Sequence, residues 1–567
     1  MYYFYHKKMR VSILLFLVFC WLHIQAQNGG FYQVNYLRYS NDKVIENQDT
    51  IVLRCSKEHA IIASAKFNNK KNDFPYEFSW FSTTKLGHIH QVSYLDAEHA
   101  IATVDSSSFK NQTFEITDET KKILGYNCKK AVVKINSNTI TLWFTHDLNV
   151  YGGPSAVGSH LGLILEYDRN GTFKIQAQEL KHLKKAKPIN LDEYKKVPYY
   201  SLLDYRDLVW KSRFTTIPVF KNQIINFDPN HIENDLEIKV RFANGTIVAR
   251  KVNFPEIASG NQIFVDATIQ SNGDAYDRTA SVVAIPINKK KSMFAAFQEG
   301  IGVLPVFTDA AGKTYQGVVS DDTYDAPIEL MRLFTTFGIK HFNYIELKDK
   351  IWHERVQYRQ DVTELRPIFS GKEVWIAMFI GNYDKGGHIV DLNFTIHQGE
   401  TNFFRSERVI PLFNSTNIME MAGQEYATMF AHTDGLTSTF TLDQPMKDVY
   451  LRYISTGHGG WENGDEFVPK INTIELNGKV IHQFIPWRQD CGSYRLFNPA
   501  SGNFSNGLSS SDYSRSNWCP GMVTSPEYIY IGDLSADQHT IRVRIPLGEK
   551  EGSSFSAWNV SGVLFGY

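Results

Sequence analysis

Short runs that alternate apolar and polar side chains, divided by clusters of Gly, Asn, Asp and Ser, recur along most of this chain. Period-two alternation bounded by turn residues is the mark of half-buried β-strands. The stretch Lys134-Ile135-Asn136-Ser137-Asn138-Thr139-Ile140-Thr141-Leu142-Trp143 sets polar turn residues between two β-forming runs and predicts a hairpin. Helical periodicity is scarce, and Met293 to Phe297 is the best short candidate. From Lys181 to Lys196 the chain turns Lys-rich around Pro188, which reads as a linker. A second break falls near Gly399-Glu400-Thr401. The expected fold is all-β: a separate β-rich N-terminal domain over 27–185, a linker over 186–211, then two tandem eight-stranded jelly-roll sandwiches over 212–398 and 399–567. Two sandwiches side by side form a long cleft, the usual place for an extended ligand.

The first residues do not belong to that pattern. Lys7, Lys8 and Arg10 precede the apolar run Val11 to Ile24, and small Ala26 follows. Charge, apolar core and small residue together predict a secretory signal over 1–26 and an exported protein, periplasmic, surface-held or secreted. The run falls short of the roughly 20 residues that span a bilayer, so no membrane span is expected. Once Cys20 leaves with the signal, Cys55, Cys128, Cys491 and Cys519 remain. Three pairings are open; Cys55 with Cys128 and Cys491 with Cys519 keep each bridge inside one domain and are preferred. Their spacing matches no zinc pattern.

Across 567 residues, 59 Lys and Arg face 60 Asp and Glu, so the net charge of -1 offers no pull towards nucleic acid. No Gly-rich phosphate loop or dinucleotide fingerprint is present, and no cofactor is expected. His88 and His90 lie on one strand and read as structural rather than as metal ligands. A monomer is expected.

Two segments concentrate polar and aromatic residues. Gly273-Asp274-Ala275-Tyr276-Asp277-Arg278 stands directly before the apolar run Ser281 to Ile285, where carboxylates beside an Arg could serve acid/base chemistry. By itself it reads more readily as a surface turn. The second segment runs from Gly457-His458-Gly459-Gly460-Trp461 to Asp465-Glu466, a loop poor at core packing and suited to surrounding a sugar. Downstream, Arg515-Ser516-Asn517-Trp518-Cys519-Pro520-Gly521-Met522 carries a second Arg and Trp.

These three ordered segments resemble the peptide-N-glycosidase F family of amidases. GDAYDR matches that family's strand-opening motif, RSNWCPGM its Arg-Trp-Cys-Pro-Gly-Met segment, and Gly457-His458 with Glu466 and Thr473-Ile474 its Gly-His loop. The resemblance implies Asp277 and Glu466 as the catalytic carboxylates, Arg278 and Arg515 as the active-site arginines, and a Cys491–Cys519 disulfide. Asp274, Tyr276, Gly381, His458, Trp461 and Trp518 are the implied substrate-binding set, and N-glycoproteins or glycopeptides the partners. Three departures stand out. Gly273 replaces a cysteine and Tyr276 a tryptophan, the two cysteines flanking the catalytic Glu are lost near Gly464 and Val468, and Gly381 falls where the family carries an acid. The segments Gly125 to Ala131, Trp143 to Thr145 and Gly158 to Leu165 look like the GLPGLI family of exported proteins, a bowl-like module that precedes the catalytic pair in some relatives.

The implied reaction is hydrolysis of the amide between asparagine and N-acetylglucosamine, turning Asn into Asp. Beside two cations, Asp277 is expected to be ionised. The glycine at 381 suggests room for a core α1,3-fucose. The alternatives are a non-catalytic N-glycan-binding protein and a copper monooxygenase, which His388, His397, His432, His458 and His482, scattered without ligand spacing, make the weaker reading.

Overall fold

The computed structural model describes residues 31–567 apart from 69–73, 83–87, 107–111, 184–195, 232–237, 343–347, 400–402, 424–428, 460–462, 500–506 and 551–553. The expected signal segment therefore lies outside the described residues. The chain divides into two compact units, Met1–Arg213 and Phe214–Tyr567.

The first unit is one antiparallel sheet of twelve strands. The expected hairpin is there: Tyr126–Ile135 pairs with Asn138–Thr145, and Asn136 adopts φ 53° in the turn, a conformation Asn tolerates. The sheet curls, so that Leu53 and Cys55 from one half share a core with Cys128 and Leu165 from the other. Within the stretch expected as a linker, Leu202–Lys211 is a helix capped by Ser201, and it buries Tyr205 and Val209 beside Ile101. His90 stacks on Trp80 at 3.8 Å and shares a hydrogen bond with the Tyr199 hydroxyl at 3.0 Å, a packing role.

The preferred Cys55–Cys128 bridge is corrected: both are free, buried thiols. Their strands, Ile51–Cys55 and Tyr126–Ile135, are separated in the sheet by four others, and each sulfur serves the core as a small apolar group. Cys491–Cys519 does form, with Cα atoms 5.1 Å apart.

The second unit contains the two sandwiches, as the all-β reading expects. In the first, a four-stranded sheet (Phe214–Ile225, His388–His397, Gln262–Ser271, Arg355–Asp361) packs on a six-stranded one. The latter has five strands of its own, with Thr279–Ile285 between Glu373–Ile380 and Ile328–Phe334; its edge strand Val523–Thr524 is lent by the C-terminal part of the chain. The first sandwich thus exceeds the eight strands expected. The second has two four-stranded sheets. Strand Thr279–Ile285 is buried and mostly apolar because both its faces are covered: Ala280, Val282 and Ala284 point into the sandwich, Val283 and Ile285 into a second core beside helix Met293–Glu299. Among the described residues no helix is long and apolar enough to cross a membrane.

A bulge between Val282 and Val283 shifts the pairing with Ile328–Phe334. It leaves Glu329 and Arg332 on the sheet face that meets the second sandwich. Arg332 donates there to Glu329 (3.0 and 2.7 Å), Thr416 Oγ1 (2.7 Å), Thr456 Oγ1 (3.0 Å) and the Asn559 carbonyl (2.5 Å), so all five of its N–H groups are used. Arg452 crosses the other way, from the second sandwich to Glu364 (2.6 Å) and the carbonyls of Glu329 (2.7 Å) and Leu330 (3.0 Å). Burial alone would push the Glu329 carboxyl up, yet Arg332 and the hydroxyls of Ser561 and Ser281 hold it below the ordinary carboxylate value.

Two outcomes follow from this packing. Burial pushes the Cys55 thiol up to about 12 and Cys128 to about 11, so a thiol reagent should modify them only after denaturation, as peptide mapping would show. Glu329→Gln should destabilise the protein by about 3–5 kcal/mol in urea unfolding, because Arg332 would stay buried without its counter-charge.

Candidate active site

Asp277 stands where the first sandwich opens. Its loop is drawn tight by hydrogen bonds from Ser271 Oγ to the Asp274 carbonyl (2.6 Å), from the Tyr276 N–H to Asp274 Oδ1 (3.2 Å) and from the Gly338 N–H to the Ala275 carbonyl (3.0 Å). Arg278 immediately precedes the following strand, with its N–H on Thr335 Oγ1 at 2.8 Å. Asp274 is 1% exposed and holds Arg278 with both oxygens, at 2.7 and 2.9 Å. Asp274, expected among the substrate-binding residues, is buried here and holds the Arg278 guanidinium. At Gly273, φ is 147° and an added Cβ would come within 3.0 Å of Asp384 Oδ1, so glycine suits a turn that passes this close to its neighbour.

Glu466 approaches from the second sandwich. Its loop lacks the flanking cysteines, the departure noted from the sequence, and hydrogen bonds hold it instead. Asp465 is fully buried and accepts from Trp558 Nε1 (2.8 Å) and the Gly548 N–H (3.0 Å), while Ser516 Oγ donates to the Asp465 carbonyl (2.6 Å). The backbone of Glu466 is tied to Gly459 and Ser516.

Arg515 joins the two carboxylates. Its side chain is 1% exposed; it donates to Glu466 Oε1 and pairs with Asp277 Oδ2 at 3.4 Å. The Ser510 carbonyl (2.6 Å) and hydroxyl (3.0 Å) take further donors. Beneath it lies Trp518, 4.2 Å from the guanidinium carbon, stacked in turn on Phe334 at 4.2 Å. Trp518 also donates from Nε1 to the Gly457 carbonyl at 3.0 Å and is 5% exposed, so its main task is to support Arg515. The Cys491–Cys519 bridge follows directly in sequence.

Burial works against the ionisation of both carboxyls. Burial pushes Asp277 above the usual carboxylate range in spite of Arg515 and Arg278. Burial likewise raises Glu466, to about 7, against the pull of Arg515 and with a further push from the charge on Asp277. Desolvation outweighs the salt bridges because each side chain is only 14% and 18% exposed.

Asp277, Arg278, Glu466 and Trp518 line a cleft of about 240 Å³ that also includes Gly381, Tyr383, Asn417, Glu420, His458 and Asn559. His458 shares a 2.8 Å hydrogen bond with Thr456, and burial lowers it to about 3, so it is neutral. Tyr276 is 55% exposed on the loop that carries Asp277, with Arg278 5.4 Å from its ring. Trp461 lies outside the described residues. Among the described residues no group of three or more His, Cys, Asp or Glu is placed to hold a metal ion.

Three cleft residues escape a reading of the sequence. Tyr383 donates to Glu420 at 3.1 Å, and Asn417 sits beside them on the same loop as Glu420. Burial raises both Glu420 and Tyr383, the latter to about 12. The only available signal was the polar run Asn414-Ser415-Thr416-Asn417 behind an apolar strand.

Residues 34–207 match the profile of the N-glycanase peptide N-terminal domain, 216–396 that of the N-terminal domain of peptide-N-glycosidase F, and 425–565 that of its C-terminal domain. Two solved structures of PNGF-II are similar over almost the whole length. One, in space group C2, is 49% identical over 95% of this chain and 98% of its own, with a TM-score of 0.88. The other, in P21, is 49% identical over 95% and 99%, with a TM-score of 0.90. No curated protein matches the chain. With three domain profiles in order along it, and a relative of this identity over nearly all of it, the chain belongs to the peptide-N-glycosidase F family of N-glycanases.

Proposed function

We propose that the protein hydrolyses the amide between asparagine and the innermost N-acetylglucosamine of N-glycans through Asp277, Glu466, Arg278 and Arg515. The observation that carries this reading is the meeting of Asp277 and Glu466, from different sandwiches, on the one buried guanidinium of Arg515 at the head of a cleft.

Amide hydrolysis needs an oriented water, charge to meet the oxyanion, and a proton for the departing nitrogen. The water oxygen attacks the side-chain carbonyl carbon and the C–N bond breaks. One water proton passes to the carboxylate pair and on to the nitrogen, so that aspartate and a glycosylamine leave. A carboxylate near 7 is a better base than an ordinary one, and still gives its proton back at neutral pH. Arg278, held by Asp274, and Arg515 supply positive charge for the oxyanion. Tyr276 and Tyr383, 55% and 57% exposed, offer ring surface against which sugar C–H edges can lie.

The cleft also supports acceptance of a core α1,3-fucose. A Cβ at Gly381 would already stand 3.1 Å from the Phe379 ring, so a larger side chain would crowd the space that glycine leaves open. Export from the cell fits the Cys491–Cys519 bridge.

Mass spectrometry of a defined glycopeptide should show asparagine converted to aspartate. Asp277→Asn should lower kcat by at least about 100-fold while glycopeptide binding survives; unchanged turnover would remove Asp277 from the mechanism. The carboxylate pair must be ionised to take the proton from water, so kcat/KM should rise with pH around the value of about 7 to which Glu466 is pushed, and Glu466→Gln should abolish that rise. In competition, glycopeptides with and without core α1,3-fucose should differ by no more than about tenfold in kcat/KM; complete rejection of the fucosylated one would overturn the role given to Gly381.

A further inference from the structure

Ser516 is fully buried, and each of its polar groups is engaged by the loop of Glu466 or by the strand Met446–His458 that leads into that loop. Its N–H donates to the Glu466 carbonyl (2.9 Å) and its carbonyl accepts from the Gly457 N–H (3.2 Å). Its hydroxyl donates to the Asp465 carbonyl at 2.6 Å and also stands 3.4 Å from the Val468 carbonyl. One residue therefore grips the loop on both sides of Glu466, beside the positions near Gly464 and Val468 where the flanking cysteines are lost. The next residue completes the grip. Asn517, in the left-handed region at φ 67°, donates from Nδ2 to the Ser455 carbonyl at 2.9 Å and accepts from the Thr524 hydroxyl at 2.9 Å.

Three segments meet here at close range. A Cβ added to Gly457 would stand 2.6 Å from the Asp465 carbonyl oxygen, 2.8 Å from Ser516 Cβ and 3.0 Å from the Trp558 ring, so glycine lets the strand, the loop and the Arg515 segment touch. Arg515 directly precedes Ser516; its guanidinium donates to the Glu466 carboxyl and pairs with Asp277 at 3.4 Å. The bonds from Ser516 to Asp465 and Glu466 thus set the reach of these side chains towards one another. Such placement matters, since a misplacement of about 1 Å can cost about 100-fold in rate.

We propose that Ser516 is a positioning residue, a non-covalent staple that fastens the Glu466 loop to the Arg515 segment and so fixes where the Glu466 carboxyl stands against Arg515 and Asp277. This deepens the N-glycanase reading and rests on it. Ser516 is absent from the cleft lining and acts only through its neighbours. Burial is what raises the Glu466 carboxyl. A loop freed of its staple admits water to that carboxyl, whose ionisation then moves back towards the ordinary carboxylate range. A hydrogen bond that only stabilises the fold has no such effect on pH dependence.

The test measures glycan release from a defined glycopeptide, across pH, by the full-length wild type and three variants. Ser516→Ala removes only the hydroxyl; Ser516→Cys keeps the volume with a weak donor. Ser438→Ala is the comparison, removing another buried hydroxyl of the second sandwich, which bonds the Leu412 carbonyl at 3.2 Å. On the alkaline plateau Ser516→Ala should lower kcat by about tenfold or more with KM within about twofold. Its rise of kcat/KM should also move to lower pH by about half a unit or more, and that of Ser516→Cys the same way by less. Ser438→Ala should do neither. Thermal melting checks that each variant is folded, and Ser516→Cys decides by the same criterion if Ser516→Ala does not fold. A folded Ser516 variant with the wild-type kcat and pH profile overturns the assignment, as does a loss that Ser438→Ala reproduces. A wild type that releases no glycan would sink the N-glycanase reading itself, a distinct result.

Discussion

Two buried arginines cross between the sandwiches in opposite directions, Arg332 onto Thr416, Thr456 and the Asn559 carbonyl, Arg452 onto Glu364 and the carbonyls of Glu329 and Leu330. Removing such charges from water is expensive, and only complete hydrogen bonding offsets it. Here the bonding is complete for Arg332, and Glu329 accepts from Ser281 and Ser561 as well. An apolar seam of the same area could slide; a set of directional bonds cannot do so without exposing an unpaired charge. The relative placement of the two sandwiches follows, and with it the position of every cleft residue that one of them contributes to the other.

Arg515 applies the same physics at the solvent boundary. It faces two carboxylates that burial has made reluctant to ionise, and its attraction does not reverse that reluctance. A carboxylate pushed to about 7, as Glu466 is, can take a proton from water and give it up again within one turnover. Trp518 and Phe334 fill the space beneath the guanidinium, and the disulfide at Cys519 adjoins them. Three consecutive features of one short segment (cation, aromatic support and covalent tie) thus form a single rigid mount.

Much of this was legible beforehand. The hairpin at Asn136-Ser137, the helix at Met293, the two sandwiches and the residues gathered at Asp277, Glu466, Arg278 and Arg515 all follow from local pattern and from motif. What misled was always a matter of surroundings. Cys55 and Cys128 share a core without sharing a bridge, because their strands lie apart in the sheet. Asp274 looked as available as Asp277, but its side chain turns inward onto Arg278. The neighbours of Asp277 pointed to a lowered pKa, whereas its burial, which sequence does not record, raises it.

Alternation of side chains by itself determined an all-β chain, since a period of two is a property of neighbouring residues and needs nothing distant. The short motifs likewise determined which chemistry-bearing side chains were present. Only the tertiary structure decided that Asn417, Glu420 and Tyr383 share a cleft with Asp277, and that Asn417 reaches it with its amide unpaired. The physical reason is that pairing, burial and desolvation depend on atoms brought together across more than a hundred residues of chain, which no local pattern records.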